Sequence, residues 1–158
     1  MNGKKIKSLQ AARIIPAVLS LIFVMCIISA CSGKKANIAE IEKRYPQAII
    51  TPSGLRYVVV EQGTGPKAIV GRNVLVNYKG TLLNGHEFDN TDLQGRPLEF
   101  EVGIGNAIKG FDEAVLDMRE GDKRIVIIPP ELGYGDRRVG SVPGNSFLIF
   151  ELELFRVK

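Results

Sequence analysis

Apolar and polar residues alternate along several short segments of the chain, and this period of two is typical of β-strands with one buried face. Five segments are predicted as strands on this basis: Leu55–Glu61, Asn73–Leu82, Pro97–Val102, Lys123–Ile128 and Ser146–Val157. In the last of them Phe150 and Leu152 alternate with Glu151 and Glu153. Such alternation predicts a sheet with one face on a core and the other face in water.

One segment has the helical period instead. Within residues 110–121 an apolar stripe occupies positions i, i+3, i+4 and i+7, namely Phe111, Ala114, Val115 and Met118. A second, shorter helix is predicted between a cap at Asn37 and the stop before Pro46. The pattern as a whole predicts an α+β domain, an antiparallel sheet of about five strands with one short helix on one face.

The dipeptide Asn84-Gly85 is the strongest turn signal, because both residues tolerate the positive φ of a tight reversal. Phe88 and Asp89 follow it directly and place an aromatic ring beside a carboxylate. An apolar surface with one fixed polar group is typical of a small-ligand pocket. Taken alone, this segment favours the simpler interpretation, a hairpin with a core Phe and a turn Asp.

The first thirty residues have the layout of an export signal. Four basic residues precede the apolar run Ile14–Ile28, and small residues precede Cys31. Residues 28–31 (ISAC) resemble the bacterial lipobox, which implies cleavage before Cys31 and attachment of lipid to its thiol. A permanent membrane anchor is the second interpretation, although Pro16 and a run shorter than roughly 20 residues weaken it. A plain secreted protein is the third.

Removal of this signal changes the charge of the protein. The chain has 21 basic and 17 acidic residues, a formal charge of +4, and four of the basic residues but none of the acidic ones lie before Cys31. The mature chain is therefore expected to have no net charge and no role in binding nucleic acid. Cys26 leaves with the signal and Cys31 is the lipidation candidate, so no disulfide is expected within the mature chain.

Familiar catalytic residue sets are missing. The only histidine, His86, falls in the predicted turn, which excludes a Ser-His-Asp triad and His-rich metal sites. Gly103-Ile104-Gly105 lacks the Gly-Lys-Ser/Thr of a phosphate loop, and no pair of acidic residues has the spacing of a glycosidase. An enzyme with this sequence is expected to work without a nucleophile, a metal or a cofactor.

Five motifs nevertheless follow one another along the chain: SGLRY (53–57), VNYKGTLLNGHEFDNT (76–91), IKGFDEAVLDM (108–118), PPELGYG (129–135) and FLIFELEL (147–154). Their order and spacing resemble the FKBP-type peptidyl-prolyl isomerases, from about Thr51 to Lys158. The resemblance implies an antiparallel sheet wrapped around one short helix, with a prolyl pocket between them. Five motifs in register make a chance match implausible.

The resemblance also implies roles for particular residues. Asp89, Tyr134 and Phe88 match catalytic positions, and the substrate-binding positions are Tyr78, Phe88, Leu98, Ala107, Ile108, Phe111, Val142 and Phe150. Ala107 and Val142 are expected at the pocket rim and Phe111 at its floor. Phe111 replaces a common tryptophan, Leu98 a frequent phenylalanine, and Val142-Pro143-Gly144 the common Ile-Pro-Pro run. The Tyr134 hydroxyl and the Ile108 N–H would hold substrate carbonyls. Asp89 would either orient that network or act on the twisted carbonyl.

The predicted organisation has three parts: a signal peptide at 1–30, a tether and short N-terminal extension at 31–50, and an isomerase domain at 51–158. Expected partners are proline-containing polypeptides, rapamycin-type macrolides and a membrane, reached through lipid on Cys31, and the protein is expected to be a monomer. Ser32, in place of an inner-membrane retention aspartate, predicts an outer-membrane position facing the periplasm if the host has two membranes. Two alternatives remain open, namely a lipid-anchored binding module or holdase chaperone and a purely structural envelope lipoprotein.

Overall fold

The computed structural model describes residues 34–158. The predictions for the signal peptide, for Cys26 and for lipidation of Cys31 therefore lie outside the described residues. Residues 34–44 are helical (α1), so Asn37 lies inside this helix and does not cap it. Ile41–Lys158 forms one compact unit. No helix within residues 34–158 is long and apolar enough to cross a membrane.

Within residues 34–158, seven antiparallel strands form one sheet: β1 (Ile49–Ile50), β2 (Arg56–Glu61), β3 (Asn73–Leu82), β4 (Glu87–Asn90), β5 (Leu98–Glu101), β6 (Lys123–Ile128) and β7 (Leu148–Val157). Their order is β1-β2-β6-β7-β3-β4, and β5 also pairs with β3. All five predicted strands are confirmed with ends shifted by at most two residues. β1 and β4 were missed, because segments of two and four residues are too short to show a period.

The predicted hairpin at Asn84-Gly85 is confirmed. Gly85 has a φ of +86°, and β3 pairs with β4 through Lys79 opposite Asn90 and Gly80 opposite Asp89. Phe88 and Asp89 thus lie on a strand and not in the turn. This strand fixes their side chains relative to the long central strand β3.

A short helix, α3 (Lys109–Leu116), packs on one face of the sheet, as the apolar stripe predicted. The four residues of the stripe are all buried, and they share a core with Val74 and Val76 of β3 and with Leu152 and Leu154 of β7. Two further single turns connect strands, α2 (Thr91–Gln94) and a 3₁₀ turn at Pro130–Leu132. The predicted α+β fold class is confirmed.

The second face of the sheet is partly covered as well. Ile127 and Ile149 are paired across β6 and β7 and alternate with the core residues, so they face away from α3, yet both are buried. Ile41 of α1 is also fully buried. The Arg44 guanidinium donates a hydrogen bond to the Leu83 carbonyl at 3.0 Å. Residues 41–50, assigned to the extension from the sequence, therefore pack with the sheet.

Candidate active site

Four aromatic rings from four different elements meet on the side of the sheet that carries α3. Phe150 of β7 is central, with ring centroids 5.7 Å from Tyr78 of β3, 5.6 Å from Phe88 of β4 and 5.3 Å from Phe111 of α3. Tyr78 and Phe111 are 5.5 Å apart. All four contacts are edge-to-face, the geometry that the charge distribution of aromatic rings favours. The structure thus brings together four residues that the sequence could place only by resemblance.

Gly80 makes the approach of two of these rings possible. It lies opposite Phe150 on one side and Asp89 on the other. A Cβ atom at Gly80 would come within 2.7 Å of Phe88 Cζ and 3.0 Å of Phe150 Cε1. The sequence signal for Gly80 was a glycine in the interior of a predicted strand, which often marks close approach of another group. Gly80 was not identified as a site residue from the sequence.

Replacement of this glycine should damage the site more than the fold. In Gly80→Ala the new methyl group displaces the Phe88 ring, which is partly exposed and can move, so the aromatic surface is rearranged. We expect a loss of unfolding free energy of about 1–3 kcal/mol and a clear loss of ligand affinity. Urea denaturation measures the first effect, and titration with a rapamycin-type macrolide measures the second. A variant with unchanged affinity would show that the position of Phe88 does not matter.

Asp89 is held by three hydrogen bonds at the edge of the aromatic cluster. Tyr78 Oη donates to its Oδ2 at 2.6 Å. Asn90 N donates to Oδ1 at 2.9 Å, and Gln94 Nε2 donates to the same oxygen at 3.1 Å. Both carboxylate oxygens are therefore occupied by donors of the protein itself. Gln94 was not identified from the sequence.

Thr91 fixes the backbone of Tyr78. Its hydroxyl accepts a hydrogen bond from Tyr78 N at 3.0 Å and donates one to Tyr78 O at 3.2 Å. The last backbone pair between β3 and β4 is Lys79 with Asn90, and after it the chain leaves the sheet to form α2. The Thr91 side chain takes the place of a further backbone pair at Tyr78. Thr91 is only 2% exposed. Its role was also missed, since a threonine after a strand has many structural uses.

The two tyrosines of the site keep their protons at physiological pH. Burial raises the pKa of Tyr78, and its hydrogen bond to Asp89 raises it further. Burial also raises the pKa of Tyr134, with a second contribution from the negative charge of Asp89. The Tyr78 hydroxyl is committed to Asp89. The Tyr134 hydroxyl makes no hydrogen bond with any residue of the described range, and neither does the Ile108 N–H, so two donors are free for a ligand.

The other predicted site residues lie around this cluster. Leu98, Ala107, Ile108 and Tyr134 are half-buried and pack against the same core. Val142, which we expected at the rim, is 3% exposed and belongs to the core itself, because the loop that carries it folds inward.

A buried carboxylate holds the segment that leads to Ile108. Asp112, in the first turn of α3, accepts hydrogen bonds from Gly103 N at 2.6 Å and Gly105 N at 3.1 Å. The segment Gly103-Ile104-Gly105 is thus a loop that is held to α3 by hydrogen bonds to Asp112. This fastening places Ala107 and Ile108 beside the aromatic rings.

Other features of the surface do not compete with this site. A groove of about 380 Å³ has Asn77, Lys79, Glu151 and Glu153 in its lining, and these residues alternate with the aromatic and core residues and so face the opposite side of the sheet. Tyr78 and Leu152, on the same two strands, also line it, whereas Phe88, Phe111, Tyr134 and Phe150 do not. Within residues 34–158 no group of three or more His, Cys, Asp or Glu side chains is arranged to hold a metal ion.

Comparison with known proteins agrees with the fold and the residue pattern. The sequence profile described as FKBP-type peptidyl-prolyl cis-trans isomerase matches residues 65–155. FK506-binding protein 2 from Dictyostelium discoideum is 50% identical over 88 residues, which are 55% of this chain and 66% of that relative. The chain thus spans just under two thirds of the length of that relative.

Solved structures show the same architecture. The crystal structure of AtFKBP13 has a TM-score of 0.69 and 37% identity, and the match covers 71% of this chain and 99% of that one. The crystal structure of FkpA from Escherichia coli has a TM-score of 0.73 and 34% identity over 96% of this chain and 75% of that one. The predicted FKBP-like fold is confirmed. This chain belongs to the family of FKBP-type peptidyl-prolyl cis-trans isomerases.

Proposed function

We propose that this protein accelerates rotation about X-Pro peptide bonds in exported proteins. The observation that carries the proposal is the apolar cluster of four edge-to-face rings beside the Tyr78–Asp89 hydrogen bond. Tyr134 and Ile108 pack against the same core, and Tyr134 Oη and Ile108 N have no hydrogen-bond partner among residues 34–158. An apolar surface with a few fixed polar groups suits a prolyl ring between two peptide carbonyls.

No covalent step is needed for this reaction. Rotation about the peptide bond breaks amide resonance, with a barrier of about 18–20 kcal/mol, and uncatalysed X-Pro isomerisation takes tens to hundreds of seconds. The twisted amide has less charge on its oxygen than the planar ground state. An apolar site therefore binds the twisted form preferentially, and each tenfold in rate requires about 1.4 kcal/mol of that preference.

Each group of the site has a separate task in this scheme. Phe88, Phe111 and Phe150 contact the prolyl ring, with Phe111 below it. Tyr134 Oη and Ile108 N donate hydrogen bonds to substrate carbonyls and fix the peptide on either side of the rotating bond. Of the two roles left open for Asp89, the orienting role is the better supported, since both of its oxygens accept hydrogen bonds from the protein.

A rate assay tests the proposal. Isomerisation of a short proline-containing peptide should be accelerated by the protein, and a rapamycin-type macrolide should abolish the acceleration by occupying the same site. Tyr134→Phe removes one free donor, and we expect kcat/KM to fall about tenfold. A protein that binds the macrolide without accelerating isomerisation would instead be the binding module or chaperone. A protein that does neither would be a structural lipoprotein.

We further propose that the protein is a bacterial lipoprotein held in the cell envelope through Cys31. Support comes from the sequence alone, from the basic and apolar segments of residues 1–30 and the ISAC motif. If the host has two membranes, Ser32 favours the outer membrane, facing the periplasm. Mass spectrometry of the mature N-terminus should detect acylated Cys31. Cys31→Ser should leave the signal uncleaved at this position and the N-terminus without lipid, and an unmodified Cys31 in the native protein would refute the proposal.

A further inference from the structure

The last residue of the single-turn helix α2, Gln94, contacts the carboxylate of Asp89, which precedes the helix in the chain. Asn90 caps α2 by accepting a hydrogen bond from Asp92 N at 2.9 Å. Gly95 ends the turn with a φ of 70°, a conformation that glycine adopts without strain. Between these two fixed ends, Gln94 lies beside Asp89, and its amide nitrogen donates to Asp89 Oδ1 at 3.1 Å.

The three donors to Asp89 divide unequally between its oxygens. Tyr78 Oη is alone on Oδ2, whereas Asn90 N and Gln94 Nε2 share Oδ1. Two donors on Oδ1 restrict rotation of the carboxylate and so keep Oδ2 aimed at the Tyr78 hydroxyl. Without Gln94, the N–H of the adjacent residue Asn90 would be the one donor left on Oδ1 among the described residues. Since Gln94 itself is exposed, its removal does not create a buried cavity.

We propose that Gln94 is a positioning residue of the isomerase site. It orients Asp89, which in turn holds the Tyr78 ring against Phe111 and Phe150. What the site requires at position 94 is a hydrogen-bond donor that reaches Asp89 Oδ1. The inference rests on the proposed isomerase function, because the geometry of Asp89 and Tyr78 matters for catalysis only if this site is the active one.

The ionisable groups around Asp89 are few. Tyr78 of β3 and Tyr134, from the loop after β6, face it and stay protonated, for their pKa values are raised. Glu87, on the same strand, is engaged by Lys79 at 3.5 Å and by Asn90 Nδ2 at 3.2 Å, and Asp92 lies exposed on α2. No lysine or arginine of the described residues forms an ion pair with Asp89. A new carboxylate at position 94 would therefore meet an unshielded negative charge.

Three substitutions at this position separate positioning from a purely structural role. Gln94→Ala should lower kcat/KM about threefold, since an exposed hydrogen bond to a charged group is lost. Gln94→Glu should lower it about tenfold near pH 7.5, because two carboxylates then repel each other. That loss should diminish as the pH is lowered, because a proton shared by two neighbouring carboxyl groups restores a donor. Gln94→Arg supplies donors again and should return kcat/KM to within twofold of the native value.

The matched control is Leu93→Ala. Leu93 is the neighbouring residue on α2 and is 81% exposed, so its replacement should leave activity and its pH profile unchanged. A readout without catalysis is the NMR signal of the Tyr78 hydroxyl proton, which the 2.6 Å hydrogen bond should protect from exchange in the native protein and in Gln94→Arg. Exchange should be faster in Gln94→Ala. An inactive native protein refutes the proposed function alone. If all three variants match the native protein in rate, pH profile and hydroxyl exchange, the role of Gln94 is refuted.

Discussion

Replacement of Asp89 by alanine should lower kcat/KM for an X-Pro peptide by about tenfold to a hundredfold. The substitution removes the acceptor of Tyr78 Oη, Asn90 N and Gln94 Nε2 in a single step. A hydrogen bond to a charged group is worth about 1.5–3 kcal/mol, and each 1.36 kcal/mol of transition-state stabilisation is a factor of ten in rate. The Tyr78 ring is then free to leave its edge-to-face contacts with Phe111 and Phe150.

The measurement compares Asp89→Ala with Asp92→Ala, an exposed carboxylate three residues away on the same segment. Both variants lose one negative charge, so an effect of charge alone would appear in both. Only Asp89→Ala should lose activity, while both should keep the circular dichroism spectrum of the native protein. Equal rates in the two variants would show that the orientation of Tyr78 is not needed for catalysis. The same conclusion would follow if Asp89→Ala kept its activity although the Tyr78 ring was displaced.

Replacement of Phe111 by alanine should lower the free energy of unfolding by about 3–5 kcal/mol, the usual range for a buried phenylalanine. Phe111 is 4% exposed and contacts three other rings, those of Tyr78, Phe100 and Phe150. The remaining rings cannot collapse into the space fully, because they belong to three separate strands of one hydrogen-bonded sheet.

Urea denaturation of the native protein and the variant measures this loss. Phe155→Ala is the matched control, since Phe155 is 50% exposed on β7 and its removal should cost about 0.5 kcal/mol. The folded fraction of Phe111→Ala should also bind a macrolide more weakly, because the floor of the site is gone. If Phe111→Ala costs no more than Phe155→Ala, then Phe111 is not the packing centre that its contacts indicate.

The strands and the main helix could be predicted because their patterns are local. The alternation in Asn73–Leu82 and the stripe that begins at Phe111 each repeat several times, and each match adds to the signal. The hairpin at Asn84-Gly85 was also predictable, since positive φ restricts the choice of residue. The short strand β4 was not, and for that reason Phe88 and Asp89 were placed next to the turn instead of in a strand.

The candidate site was predictable only in part, and by resemblance. Tyr78, Phe88, Phe111 and Phe150 do meet, but nothing in the sequence around any one of them requires it. Val142 was expected at the rim and is buried, because burial depends on how a whole loop folds over the core. Such placements depend on residues far apart in the chain.

Local residue patterns were enough to predict which strand faces contact water and which face the core, where the hairpin reverses, and which family the chain resembles. These properties depend on residue types at short spacing. The tertiary structure was needed to show that Gly80 leaves room for two rings, and that Gln94 and Thr91 hold Asp89 and Tyr78. The distances involved are 2.7–3.2 Å, between atoms of different elements. Such a distance is fixed by the registers of the sheet and the packing of α3, which no local pattern encodes.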